Sequence, residues 1–218
     1  MQAVDRLIER LAERADSATV TNPYRAGDDP NHAIRRHNLR LYLNGFAAAK
    51  KVPALLVCEA PGYRGCRLTG IPLCSRKILT AGVKGLPLFG LRRGYREPNE
   101  PSFSQIQGEQ SATIVWRELS QLGFNPLIWN AFPWHPHREC RPLSNRTPTH
   151  GELQEGSEIL AQIIDLFAIE NVLAIGRKAQ TSLRDLAIPC AATRHPAHGG
   201  KAEFAQGLRR FVAGLADS

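Results

Sequence analysis

Ala54-Leu55-Leu56-Val57-Cys58, followed at once by Glu59-Ala60-Pro61-Gly62, is the stretch on which the fold turns. An unbroken apolar run without alternation suits a strand covered on both faces, as in a parallel sheet, and Pro-Gly ends it. Runs of the same kind return at Pro126-Leu127-Ile128-Trp129, at Val172-Leu173-Ala174-Ile175 and, more weakly, from Ile188 to Thr193. Between them the apolar spacing becomes helical. Ile114, Val115, Leu119 and Leu122 form one stripe, and Leu153, Ile159, Leu160, Ile163, Ile164 and Phe167 form another. The segment after Gly176 and the tail with Phe204, Leu208, Phe211 and Leu215 supply two more. Upstream, Val4, Leu7, Ile8 and Leu11 mark one helix, and a second spans about Ile34 to Lys50 with Ile34, Leu41, Tyr42 and Phe46 inward. Strands separated by helices imply parallel pairing through right-handed crossovers. The expected fold is an α/β three-layer sandwich with a central, mainly parallel four-stranded sheet, one domain over residues 1–218.

The 218 residues carry 28 Lys+Arg against 20 Asp+Glu, a net charge of +8, which suits a polyanionic partner such as nucleic acid. No apolar run approaches the roughly 20 residues of a membrane span. Met1 to Asp16 reads as an amphipathic helix with acids throughout, without the apolar core of a signal peptide. Cys58, Cys66, Cys74, Cys140 and Cys190 are odd in number and form no C-x-x-C pair, so reduced thiols and a cytoplasmic location are expected. Two loops are long, Glu59 to about Ser75 and Phe132 to about Thr149, and such loops are usually functional or disordered.

In open parallel sheets ligands bind beyond the carboxyl ends of the strands. The first run leads into Glu59-Ala60-Pro61-Gly62, the second into Asn130, the third into Gly176-Arg177 and the fourth into Arg194-His195-Pro196. A carboxylate, an amide and a histidine therefore converge on one rim. Gly62, Gly65 and Gly70 do not make G-x-G-x-x-G, and no G-K-[ST] is present. His135 and His137 with Cys140 have part of a zinc spacing but no fourth ligand, so no metal and no cofactor are expected. The same loop reads better as DNA-facing, with Arg138, Arg141 and Arg146 on phosphates, the alternative being a solvated basic loop. Arg92, Arg93 and Arg96, beside Tyr95, carry the same two readings.

Taken in order, Val57-Cys58-Glu59-Ala60-Pro61-Gly62, Thr69-Gly70-Ile71-Pro72-Leu73, Trp129-Asn130 and Arg194-His195-Pro196-Ala197 resemble the motifs of uracil-DNA glycosylases. The E-A-P-G form is most similar to the thermostable, iron–sulfur branch of that superfamily. That branch has two close cysteines upstream of the motif, and this chain has none before Cys58. Leu73 stands where that branch stacks an aromatic ring on the base. Ala60 stands where the best-studied branch has a water-positioning Asp, Gly62 where it has a methyl-excluding Tyr, and Gly199 where it has an intercalating Leu. The resemblance thus implies a divergent member.

It also implies roles. Excision of uracil builds positive charge on the sugar and negative charge on the base, after the nucleotide has left the helix. His195 would donate to uracil O2 as a neutral imidazole. Glu59 would activate water and offset the cationic sugar; its plain alternatives are a helix cap or an arginine pair. Asn130 would accept from uracil N3–H and donate to O4, the alternative being a bond to its own backbone. Leu73, Ala60 and Gly62 would shape the base pocket. Arg194, His198, Lys201 and Arg138 would contact DNA, with His198 as the candidate wedge. The function implied is removal of uracil from DNA by a monomer that uses no membrane. The alternatives are a glycosylase for hypoxanthine or xanthine, and a non-catalytic protein that binds damaged DNA.

Overall fold

The computed structural model describes residues 2–49, 51–103, 105–197 and 199–216, residue 216 without its side chain. The chain runs through α1 (Gln2–Glu13), β1 (Val20–Thr21), α2 (Pro30–Ala47), β2 (Leu55–Cys58), α3 (Cys66–Thr69) and α4 (Arg76–Ala81). After a 3-10 turn at Leu91–Arg93 it continues through α5 (Gln110–Leu122), β3 (Leu127–Asn130), β4 (His135–Pro136) and α6 (His150–Leu166). The remainder is β5 (Val172–Ile175), α7 (Arg177–Asp185), β6 (Ala191–Thr193) and α8 (Lys201–Ala216).

The four expected strands form one parallel sheet in the order β3-β2-β5-β6, flanked by helices. Leu55 pairs with Leu127 on one side and with Val172 on the other, and Cys58 lies level with Asn130. Every residue of β2, β3 and β5 is buried, which is why these runs show no polar alternation. β6 is the weak run because it is an edge strand: Ala191 and Ala192 are exposed. The helical stripes of α5 and α6 bury Ile114, Val115 and Leu119, and Leu153, Ile159, Leu160 and Ile163.

Several expectations need correction. α2 begins at Pro30, not near Ile34, because Asp29 accepts from Asn31 N–H and Pro30 supplies a first-turn residue that needs no donor. It ends at Ala47, and Lys50 lies outside the described residues. Its inner face is Arg35, Asn38, Leu39, Tyr42, Leu43 and Phe46, while Ile34 and Leu41 are only half-buried. The two polar residues on that face dock the loop after β2. Arg35 Nε donates to Leu68 O at 3.1 Å, and Asn38 Nδ2 donates to Thr69 O at 3.1 Å. Gly70 closes α3 at φ +78, and a Cβ there would stand 2.6 Å from Arg35 O. Arg35 and Arg67 share Glu100 at 3.6 and 3.5 Å, an ion-pair cluster with all three side chains nearly enclosed.

The two long loops are also more ordered than expected. The first contains α3, and the second contains β4, which pairs antiparallel with β1 as Val20↔Pro136 and Thr21↔His135. Tyr95 is not part of a basic surface. It is buried edge-on against Phe89, which also meets Trp116, while Arg92 and Arg93 stay exposed.

Candidate active site

Beyond the carboxyl ends of β2 and β5 the chain encloses an open cavity of about 780 Å³. Glu59, Ala60, Gly62, Leu73 and His195 all line it, so most of the expected pocket residues are brought together.

Glu59 follows β2 directly, and its carbonyl accepts from Phe132 N–H at 3.1 Å, which fixes the turn onto the sheet. Burial pushes its carboxyl above the usual carboxylate range; a hydrogen bond from Thr147 and the Lys178 ammonium pull it back. No helix starts at Glu59, and among the described residues no arginine forms an ion pair with it. Its environment is that of a carboxylate held in a cavity and steadied by one hydroxyl and one cation.

His195 is half-buried after β6. Ala197 N–H donates to its Nδ1 at 3.2 Å, so a neutral ring carries its proton on Nε2. Two glycines make room for it. Gly176 ends β5 at φ +88, and a Cβ there would lie 3.3 Å from His195 Cβ. A Cβ on Gly200 would overlap His195 O. Leu73 is held at φ +49, a conformation costly for a branched side chain, and its carbonyl accepts from Trp116 Nε1 at 2.8 Å.

Asn130 is placed differently. It is 2% exposed, is not part of the cavity wall, and donates from Nδ2 to Cys66 Sγ at 3.7 Å. Burial pushes the Cys66 thiol up to about 12, so that partner is a neutral, weak acceptor.

The basic residues divide. Arg138 and Lys201 are exposed. Arg194 is exposed and meets Glu203 at 2.7 Å. His198, the candidate wedge, lies outside the described residues. Arg146 does not face outward as a phosphate ligand. It grips Glu152 with both terminal nitrogens at 2.7 Å and donates to His137 O and Thr19 O. The histidines of that loop are likewise internal. Burial pushes His135 down to about 4, and its Nδ1 meets Pro61 O at 2.7 Å, which ties the loop to the Glu59 turn. Cys140 is exposed, and among the described residues no three metal-ligating side chains come together.

Three groups of the cavity carried no signal in the sequence. Thr147 sits in a long loop whose course cannot be read from composition, and Lys178 lies in the first turn of α7, beyond the end of β5. Glu109, just ahead of α5, reads as an ordinary acid before a helix. Its carboxyl instead turns into the cavity, over Gly62 and Gly65.

No protein-family model matches the chain, and neither does any curated protein. Among solved structures it is similar to wild-type SMUG2 from Pedobacter heparinus, with a TM-score of 0.65. Identity there is 14%, over 99% of this chain and 99% of the other. At that identity the likeness is one of fold. Among the described residues no helix is long and apolar enough to cross a membrane.

Proposed function

We propose that the chain is a DNA glycosylase, a single domain over residues 1–218, that hydrolyses the N-glycosidic bond of uracil in DNA and leaves an abasic site. The observation that carries this is the facing of Glu59 and His195 on one cavity at the carboxyl edge of a parallel sheet. The ordered motif resemblance and the fold shared with SMUG2 support it.

The two groups suit the two halves of the reaction. As the C1′–N1 bond lengthens, its electron pair moves onto the base and spreads to the carbonyl oxygens. The His195 Nε2–H, oriented by the Ala197 amide, donates to that developing oxyanion without placing a cation in the cavity. Glu59 as carboxylate faces the positive sugar and takes a proton from the water that bonds to C1′. Asn130 reads the base by exchanging the Cys66 thiol for the base edge, a cheap exchange because a thiol is a poor acceptor. Leu73, Ala60 and Gly62 shape the pocket. Arg138, Arg194 and Lys201 meet phosphates, Arg194 by trading its Glu203 contact, and His198 is the candidate wedge.

The test is a panel of oligonucleotides, each with one uracil, hypoxanthine or xanthine, treated with protein and then with alkali. Strand breaks at uracil support the reading. Breaks only at a purine move the substrate to the other deaminated bases, and tight binding without breaks makes the protein a damage-binding one.

A further inference from the structure

We propose that the Glu109 carboxyl contacts the excised base directly and donates a hydrogen bond to one of its carbonyl oxygens. The inference rests on the glycosylase reading and deepens it by naming a specificity-determining group.

The geometry carries it. Glu109 comes from the turn before α5, remote in sequence from the motifs, yet its carboxyl lies in the wall of the same cavity as Glu59 and His195. Two bare backbone positions form its seat. A Cβ on Gly62 would stand 2.5 Å from Oε1, and one on Gly65 would overlap Oε2. Although Glu109 occupies the cap position of α5, its side chain does not cap that helix. Among the described residues no hydroxyl, amide or cation bonds to the carboxyl. A carboxyl aimed into a cavity with no partner of its own is poised for a ligand's polar edge.

Its surroundings decide which hydrogen-bonding role it takes. Besides Glu109 itself, the charged and titratable groups lining the cavity are Glu59, Arg146, Arg177, Lys178, His195 and the Cys58 thiol, with the Cys66 thiol behind. Arg146 is committed to Glu152, Lys178 acts on Glu59, and both thiols are held neutral by burial. No cation offsets burial at Glu109, which pushes its carboxyl up to about 7. Near neutral pH a large share is therefore the uncharged acid, which can donate through O–H and accept through C=O. Uracil, hypoxanthine and xanthine each carry a ring carbonyl, and its oxygen has two lone pairs, so it can accept from Glu109 beside another donor. An ionised Glu109 would instead repel the oxygen on which the leaving charge collects. One cavity thus holds two carboxyls of opposite duty, Glu59 charged and Glu109 neutral.

The experiment is single-turnover cleavage of a uracil-containing oligonucleotide by wild type, Glu109→Gln and Glu109→Ala, from about pH 5.5 to about pH 9. Thermal melting of each protein is followed alongside. Glu109→Ala should cleave about 10²–10³-fold more slowly at pH 6.5, the usual effect of losing one positioned donor. Glu109→Gln keeps an N–H donor, so it should recover about tenfold or more over the alanine variant while staying below wild type. Above pH 7 the wild-type rate should fall with rising pH, and the Gln variant should show no such fall. The proposal is overturned if Glu109→Ala cleaves at the wild-type rate, or if the Gln variant keeps the alkaline fall. The Gln comparison stands even if the alanine variant does not fold. A wild-type protein silent on uracil, hypoxanthine and xanthine overturns the glycosylase reading and this one with it, an outcome distinct from the other two.

Discussion

A Cβ on Gly65 would overlap Oε2 of Glu109, so this carboxyl has its seat only because residue 65 has no side chain. The seat holds a group that burial keeps protonated until about pH 7. That has a consequence for folding as well as for chemistry. In the unfolded chain Glu109 ionises near 4.5, so below that pH both states carry the proton and the carboxyl makes no pH-dependent contribution to stability. As pH rises toward 7 the unfolded state gains charge that the folded state resists, and stability is lost. Glu109→Gln should therefore leave stability nearly unchanged at pH 4 and raise it by about 1–3 kcal/mol at pH 8, the discounted worth of such a shift. Urea unfolding at the two pH values measures it. An equal effect at both would mean that the carboxyl is not held in its neutral form.

Glu59 titrates with the opposite requirement, because it must be charged to act. Its raised pKa places the acid limb of the rate profile above the ordinary carboxylate range, with activity lost as pH falls through it. Thr147→Val removes the hydrogen bond that pulls this value down, so the acid limb should move to higher pH while the plateau changes by less than about tenfold. An unmoved limb would assign it to another group.

Glu152 does two jobs, completing the capping box of α6 with Thr149 and holding Arg146. Both keep its carboxyl below the usual range, the Arg146 bond most strongly. Its stabilisation is present at neutral pH and is lost as pH falls through the folded value. Glu152→Ala should cost about 1–2 kcal/mol at pH 7 and less at pH 3, measured by urea unfolding.

A feature is legible in the sequence when it depends on residues close along the chain. The strands at Leu55–Cys58, Leu127–Asn130 and Val172–Ile175 are readable because burial on both faces leaves no polar residue inside them. Glu59 and His195 are readable because they come after strands, and the strand ends define the rim. Arg146 is not readable, since an arginine in a polar loop looks the same whether it faces phosphate or Glu152. The inner face of α2 hides for a related reason: Arg35 and Asn38 are buried by partners on another loop, and apolar periodicity does not register such a pairing. Glu109 depends on two glycines more than forty residues away, which no local pattern records.

Asn130 tests how the base is read. Asn130→Ala should reduce uracil cleavage by about 1–3 kcal/mol in transition-state stabilisation, the cost of an unpaired buried polar group on the base edge. Asn130→Asp should shift residual activity toward cytosine, whose edge offers N4–H and the N3 acceptor. Competition between uracil- and cytosine-containing oligonucleotides reports both. If both variants keep wild-type rate and preference, Asn130 only supports Cys66 and the reading falls to Glu109 and the loop around Leu73.

The pairing of Glu59 with His195 across one cavity is tested most directly by the release of free uracil in a single turnover. Wild type, Glu59→Gln and His195→Ala are compared on one uracil-containing oligonucleotide, at protein concentrations that saturate binding. Wild type should release uracil and leave an alkali-labile site, and each variant should be slower by about 10²–10³-fold with an unchanged melting temperature. Uracil release by His195→Ala and Glu59→Gln at the wild-type rate would contradict the assignment of the site.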